Sequence, residues 1–107
     1  MAVHQHQPLD EARQLRAEAA QVRLRSIRSQ IAIALTFCSV AEWQLETGHA
    51  EHVDAVLAKL QKLAATVRRH LNEPNHVPSN EVERVRTELA QLESRTLAVE
   101  ERARRNR

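Results

Sequence analysis

Glycine occurs once in this 107-residue chain, at Gly48. Hairpin turns, bulges and phosphate loops need positive-φ positions, which glycine occupies without steric cost. One such residue cannot serve a sandwich, a barrel or a dinucleotide-binding unit. Strands also lack material, because tyrosine is absent and β-branched residues are few. Alanine, leucine, arginine and glutamate dominate instead, and these are helix formers. The expected fold class is all-α: an antiparallel three-helix bundle with a long N-terminal helix and coiled-coil-like packing.

Punctuation places the helices. Pro8 suits a first helical position, followed by Asp10 and Glu11 where acids meet the positive end of the helix dipole. Nothing interrupts the pattern before Gly48, so helix 1 is expected over about residues 8–47. Helix 2 follows over about 49–72, with Glu51 and Asp54 early and Arg68, Arg69 and His70 late. The segment from Asn72 to Pro78 holds two prolines and two asparagines and reads as the loop. Ser79 or Asn80 would cap helix 3, which runs to about residue 102; Asn80 and Glu83 have capping-box spacing. One domain over 8–102 is expected, flanked by a flexible tail at 1–7 and a basic tail at 103–107.

Periodicity distinguishes the helices. Helix 3 carries Val82, Val85, Leu89, Leu92, Thr96, Val99 and Ala103 in steps of three and four, a narrow seam. Helix 2 places Val53, Val56, Leu57, Leu60, Leu63, Ala64, Val67 and Leu71 on one face. Helix 1 is apolar on two sides. One stripe is Ala17, Ala20, Leu24, Ile27, Ile31, Ala34, Cys38, Ala41 and Leu45; the other is Leu15, Ala19, Val22, Ser26, Ile33, Phe37 and Val40. Two apolar sides require partners on two sides. Helix 1 also exceeds its neighbours in length, so its N-terminal part should overhang the bundle.

Residues 41–53 place a glycine after a helix, an acid three residues on, and an apolar residue beyond. This resembles the helix–turn–helix of a tetratricopeptide repeat over about a third of the chain. No second copy follows one repeat later, and such repeats bury their faces against neighbours. No binding residue is carried over from that likeness.

Candidate chemistry is sparse. Glu46, His49 and His52 have ligand-like spacings, but Gly48 interrupts the helix between them, so they read as solvated side chains at a turn. His4 and His6 lie in the expected tail. His70, behind Arg68 and Arg69, is expected to satisfy the terminal carbonyls of helix 2. Cys38 falls within the apolar stripe, far from any activating base, and reads as a core residue. No glycine-rich phosphate loop is present. No catalytic residue, metal ligand, cofactor or small-molecule substrate is therefore expected.

The most apolar run, residues 31–41, is too short for a bilayer, which needs about 20 residues. No membrane contact is expected, and the polar start and single cysteine point to the cytoplasm. The expected function is protein–protein interaction or self-assembly through apolar helix faces, as a homodimer or with another helical protein. Its interface residues are Leu15, Val22, Ile33, Phe37, Val40 and Trp43, with Phe37 or Trp43 as anchor. The alternative is a small regulatory nucleic-acid-binding module using Arg23, Arg28, Arg104 and Arg105. The net charge of only +2 and the lack of interleaved aromatics weigh against it.

Overall fold

The computed structural model describes residues 3–106, with side chains from Pro8. Three helices pack against one another: α1 (Val3–Glu46), α2 (Val53–Asn72) and α3 (Val82–Arg105), with a single 3-10 turn at Ala50–His52 before α2. No strand occurs among the described residues. Neighbours in sequence run antiparallel. Gln61 of α2 bonds Glu100 of α3 while Arg68, one to two turns further along α2, pairs with Glu93, earlier on α3. The molecule is a rod of 73 × 17 × 15 Å.

Gly48 ends α1 as expected. Its φ is +79°, and the His49 N–H reaches back to the Gln44 carbonyl at 2.8 Å, a Schellman closure. A Cβ at this position would meet nothing within 4 Å. The glycine is therefore required by its backbone angle, not by space.

The core follows the faces the periodicity predicts and adds Val77 from the expected loop, at 6 % exposure. Ile27, Cys38, Val53, Leu60, Val67, Val85 and Leu92 are its most fully enclosed side chains. All of the first α1 stripe is buried except Ala17, which is exposed. The core begins at Ala20; beyond it the α2–α3 loop, through Asn75, Val77 and Pro78, leaves an open pocket against Arg16 and Ala17. The first four turns of α1 overhang the bundle, as its excess length implies.

The ends differ from expectation. The backbone of α1 is helical from Val3, so the segment 3–7 continues the helix instead of forming a tail; residues 1 and 2 and the side chains of His4 and His6 lie outside the described residues. Helix 3 starts at Val82 with Glu81 at the cap position and no side-chain cap bond. Neither Ser79 nor Asn80 caps it. The Glu81 carboxylate is instead drawn to Arg28 at 2.8 Å, a tertiary pair invisible to local spacing. At the other end Ala103 is buried at 4 % exposure, so α3 packs through Ala103 and stays helical to the exposed Arg105, where a basic tail was expected from residue 103; Arg107 lies outside the described residues.

Candidate interaction surface

The second stripe of α1 faces solvent. Leu15, Val22, Ile33, Val40 and Trp43 are exposed at 65, 56, 50, 38 and 58 %. These are large apolar side chains that neither α2 nor α3 covers. Scattered exposed apolar residues are ordinary on a monomer, but five large ones aligned along one helix are not.

The line is regular. Ala12, Leu15, Ala19, Val22, Ser26, Ser29, Ile33, Thr36, Val40 and Trp43 follow one another in alternating steps of three and four. At 100° per residue they share one edge of α1, opposite the buried stripe. This is the a/d pattern of a two-helix seam, with Ala12, Ala19, Ser26, Ile33 and Val40 at a and Leu15, Val22, Ser29, Thr36 and Trp43 at d. Ala12, Ser29 and Thr36 escape a reading based on hydrophobicity alone. The signal that finds them is the unbroken spacing.

Phe37 sits beside this line and not on it. Its ring is half-buried, packs against the core and lies under the Lys59 ammonium, 5.7 Å from the ring centroid. Phe37 is thus partly engaged within the chain, and Trp43 is the more exposed of the two expected anchors. With Ile33, Leu63 and Lys62 it lines a shallow, mostly apolar groove between α1 and α2, of about 360 Å³. Trp43 closes the line at its C-terminal end, where its ring lies parallel to that of His49 at 5.9 Å between centroids. His49 in turn contacts the Thr47 hydroxyl at 3.0 Å, and both His49 and His52 are exposed, as solvated turn residues should be.

The columns flanking the seam carry complementary groups. Glu11, Glu18, Arg25, Ala32 and Ser39 precede the a positions; Arg16, Arg23, Gln30, Phe37 and Gln44 follow the d positions.

The four arginines of the nucleic-acid alternative do not gather. Arg28 pairs with Glu81, and the Arg23 Nε–H donates to the His76 carbonyl at 2.6 Å. Arg104 and Arg105 lie at the far end of α3, whose 24 residues span about 36 Å. The two groups thus occupy opposite ends of the bundle, and the first is engaged within the chain.

His70 also departs from expectation. Its ring does not cap α2; it faces His76 across the following loop. Cys38 is buried as expected, and burial pushes its thiol pKa up against the opposing pull of the Thr96 hydroxyl. No described helix is long and apolar enough to cross a membrane. No protein-family model, curated protein or solved structure matches this chain, so the likeness of residues 41–53 to a tetratricopeptide hairpin stays a local one.

Proposed function

We propose that this chain is a self-associating helical protein in which the exposed seam of α1 pairs with the same seam of a second copy. The observation carrying this reading is the line from Ala12 to Trp43, exposed at every position but the half-buried Ala12 and Ala19 and unbroken in its three–four spacing. Helices with such a line supercoil about one another to bury it. The opposite face of α1 is already occupied by α2 and α3, so pairing leaves the bundle intact.

Charge favours a second copy in parallel register over one crossing antiparallel near residue 24. In that arrangement the residue preceding each a position faces the residue five further along the partner. Glu11 then meets Arg16, Glu18 meets Arg23, Arg25 meets Gln30, Ala32 meets Phe37 and Ser39 meets Gln44. Glu11–Arg16 joins two exposed side chains of opposite charge, Glu18–Arg23 adds a second such pair only where Arg23 leaves the His76 carbonyl, and no pair is like-charged. A half-turn register that crosses the helices antiparallel about residue 24 instead sets Arg23 against Arg23 and Arg25 against Arg25. The biochemical role is assembly through helix-face recognition, without catalysis.

Ala12→Cys tests both the seam and its direction. In a parallel pair the two new thiols face each other, and mild oxidation at micromolar concentration yields a covalent dimer. Adding Ile33→Asp to the same chain abolishes the crosslink. Absence of crosslinking in Ala12→Cys, or its persistence in the double variant, contradicts the reading.

A further inference from the structure

The loop that joins α2 to α3 brings together three side chains with metal-ligand chemistry. His70 lies in the last turn of α2, Glu73 is the residue after its end, and His76 sits three residues on. The chain folds back between them because Asn75 adopts φ +59° and the flanking Pro74 and Pro78 restrict the backbone. The His76 N–H bonds the Glu73 carbonyl, and the His76 carbonyl is held from α1 by Arg23. The loop is thus tied to two helices.

Within this frame the Nδ1 of His70 and the Nε2 of His76 stand 3.0 Å apart, with rings 7° from parallel. On the other side of its ring, the Nδ1 of His76 meets the Glu73 carboxylate at 2.9 Å. A carboxylate accepts, so in the neutral imidazole the Nδ1 of His76 carries the proton and its Nε2 presents a lone pair toward His70. Both histidines are half-buried, whereas Glu73 is exposed. The three ligand atoms lie within 4.8 Å of one another.

We propose that His70 Nδ1 and His76 Nε2 bind a borderline divalent transition-metal ion of the Zn(II) type, with Glu73 as the carboxylate that orients His76. Zinc–nitrogen bonds of 2.0–2.1 Å in a tetrahedral arrangement place two nitrogens about 3.3–3.4 Å apart. The observed separation is a few tenths of an ångström short of this, within reach of a small ring rotation. On binding, His70 moves its remaining proton to Nε2, its neutral tautomer changes, and no net proton is released by the pair. Carboxylate-to-imidazole-to-metal arrays fix the ring and raise its basicity. Two imidazole donors favour zinc, nickel or copper over calcium or magnesium, which take oxygen. A bound ion clamps the end of α2 to the loop that Arg23 anchors on α1. Its ligands lie off the α1 seam, and the two regions meet only at Arg23, which flanks the seam and holds the His76 carbonyl.

Isothermal titration of the full chain with zinc chloride tests it, alongside imidazole proton NMR of the same samples. The expected result is one ion per chain at micromolar concentration, with the His70 and His76 ring resonances shifting and magnesium chloride giving no response. His70→Gln and His76→Gln each abolish this binding. Glu73→Gln weakens it about tenfold, the effect of losing an orienting carboxylate. The double variant His49→Ala/His52→Ala leaves it unchanged. The wild-type ring resonances keep the test valid even if a loop variant unfolds. No binding at millimolar zinc, or zinc shifts confined to other histidines, overturns the proposal.

Discussion

The thiol of Cys38 on α1 and the hydroxyl of Thr96 on α3 meet in the core, Sγ to Oγ1 3.9 Å. Thr96 is the one buried polar side chain of the described core, and its hydroxyl also donates to the Leu92 carbonyl at 2.9 Å. Its hydrogen-bonding need is met within the helix, so a polar residue sits in the seam of α3 at little cost. Outside this layer, Arg95 pairs with Glu42 and closes the rim.

The enclosed thiol should be inert. Cys38 has no exposed surface, and burial raises its pKa, which suppresses the reactive thiolate. In native buffer at pH 8, labelling by a disulfide reagent should be negligible, and in 6 M guanidinium (roughly complete denaturation) it should go to completion. Rapid labelling of the folded chain would show that α1 and α3 separate locally at this layer.

Core truncation separates the enclosed face from the open one. Leu60 and Leu92 have no exposed surface, whereas Leu97 is 53 % exposed. Leu60→Ala or Leu92→Ala should each lose about 2–5 kcal/mol of stability, and Leu97→Ala well under half of that. Urea unfolding followed by circular dichroism measures the difference. Equal losses at Leu92 and Leu97 would contradict the packing of α3.

Gly48 should resist replacement because of its φ of +79°. Gly48→Ala has room for its methyl group but places an L-residue in the left-handed region, at a cost of about 1 kcal/mol. Gly48→Asn should cost less, since asparagine tolerates that region. A melting series in the order glycine, asparagine, alanine is expected. Alanine at or above glycine would contradict the Schellman closure of α1.

The ion pairs at the surface should contribute little. Arg28–Glu81 is more than a third exposed on the arginine side. A double-mutant cycle with Arg28→Ala and Glu81→Ala should give a coupling of about 0–1 kcal/mol, reduced further by salt. A much larger coupling would mean that this pair, and not apolar packing, sets the start of α3.

The helices and the core faces were legible because their signal is local and repeated. Leu24, Ile27, Ile31 and Ala34 declare one face of α1 by spacing alone, and Val85, Leu89 and Leu92 do so for α3. The ends were not legible, since they depend on distant residues. Glu81 takes the cap position with its carboxylate on Arg28, 53 residues away in sequence, and the exposure of Ala17 depends on where the α2–α3 loop lies. The exposed stripe was visible as Leu15, Ala19, Val22, Ser26, Ile33 and Val40, but Ser29 and Thr36 concealed its full period behind hydroxyl groups. Phe37 was assigned to that stripe by its angle, yet its ring folds against the core. The meeting of His70 with His76 had no warning in helical periodicity. It follows from the backbone reversal at Asn75, which turns a six-residue separation into a 3.0 Å contact.

Sedimentation equilibrium on the wild-type chain and on Val22→Asp/Ile33→Asp tests the central claim most directly. Both substituted side chains are exposed in the isolated chain, at 56 and 50 %, so the bundle should stay folded and helical. In a paired seam, however, the new carboxylates face apolar neighbours without a partner. The account predicts that the wild type sediments at twice its 12.2 kDa chain mass at micromolar concentration and that the variant sediments at the chain mass with its helical signal retained. A wild type that remains monomeric at high micromolar concentration, or a variant that stays dimeric, would contradict it.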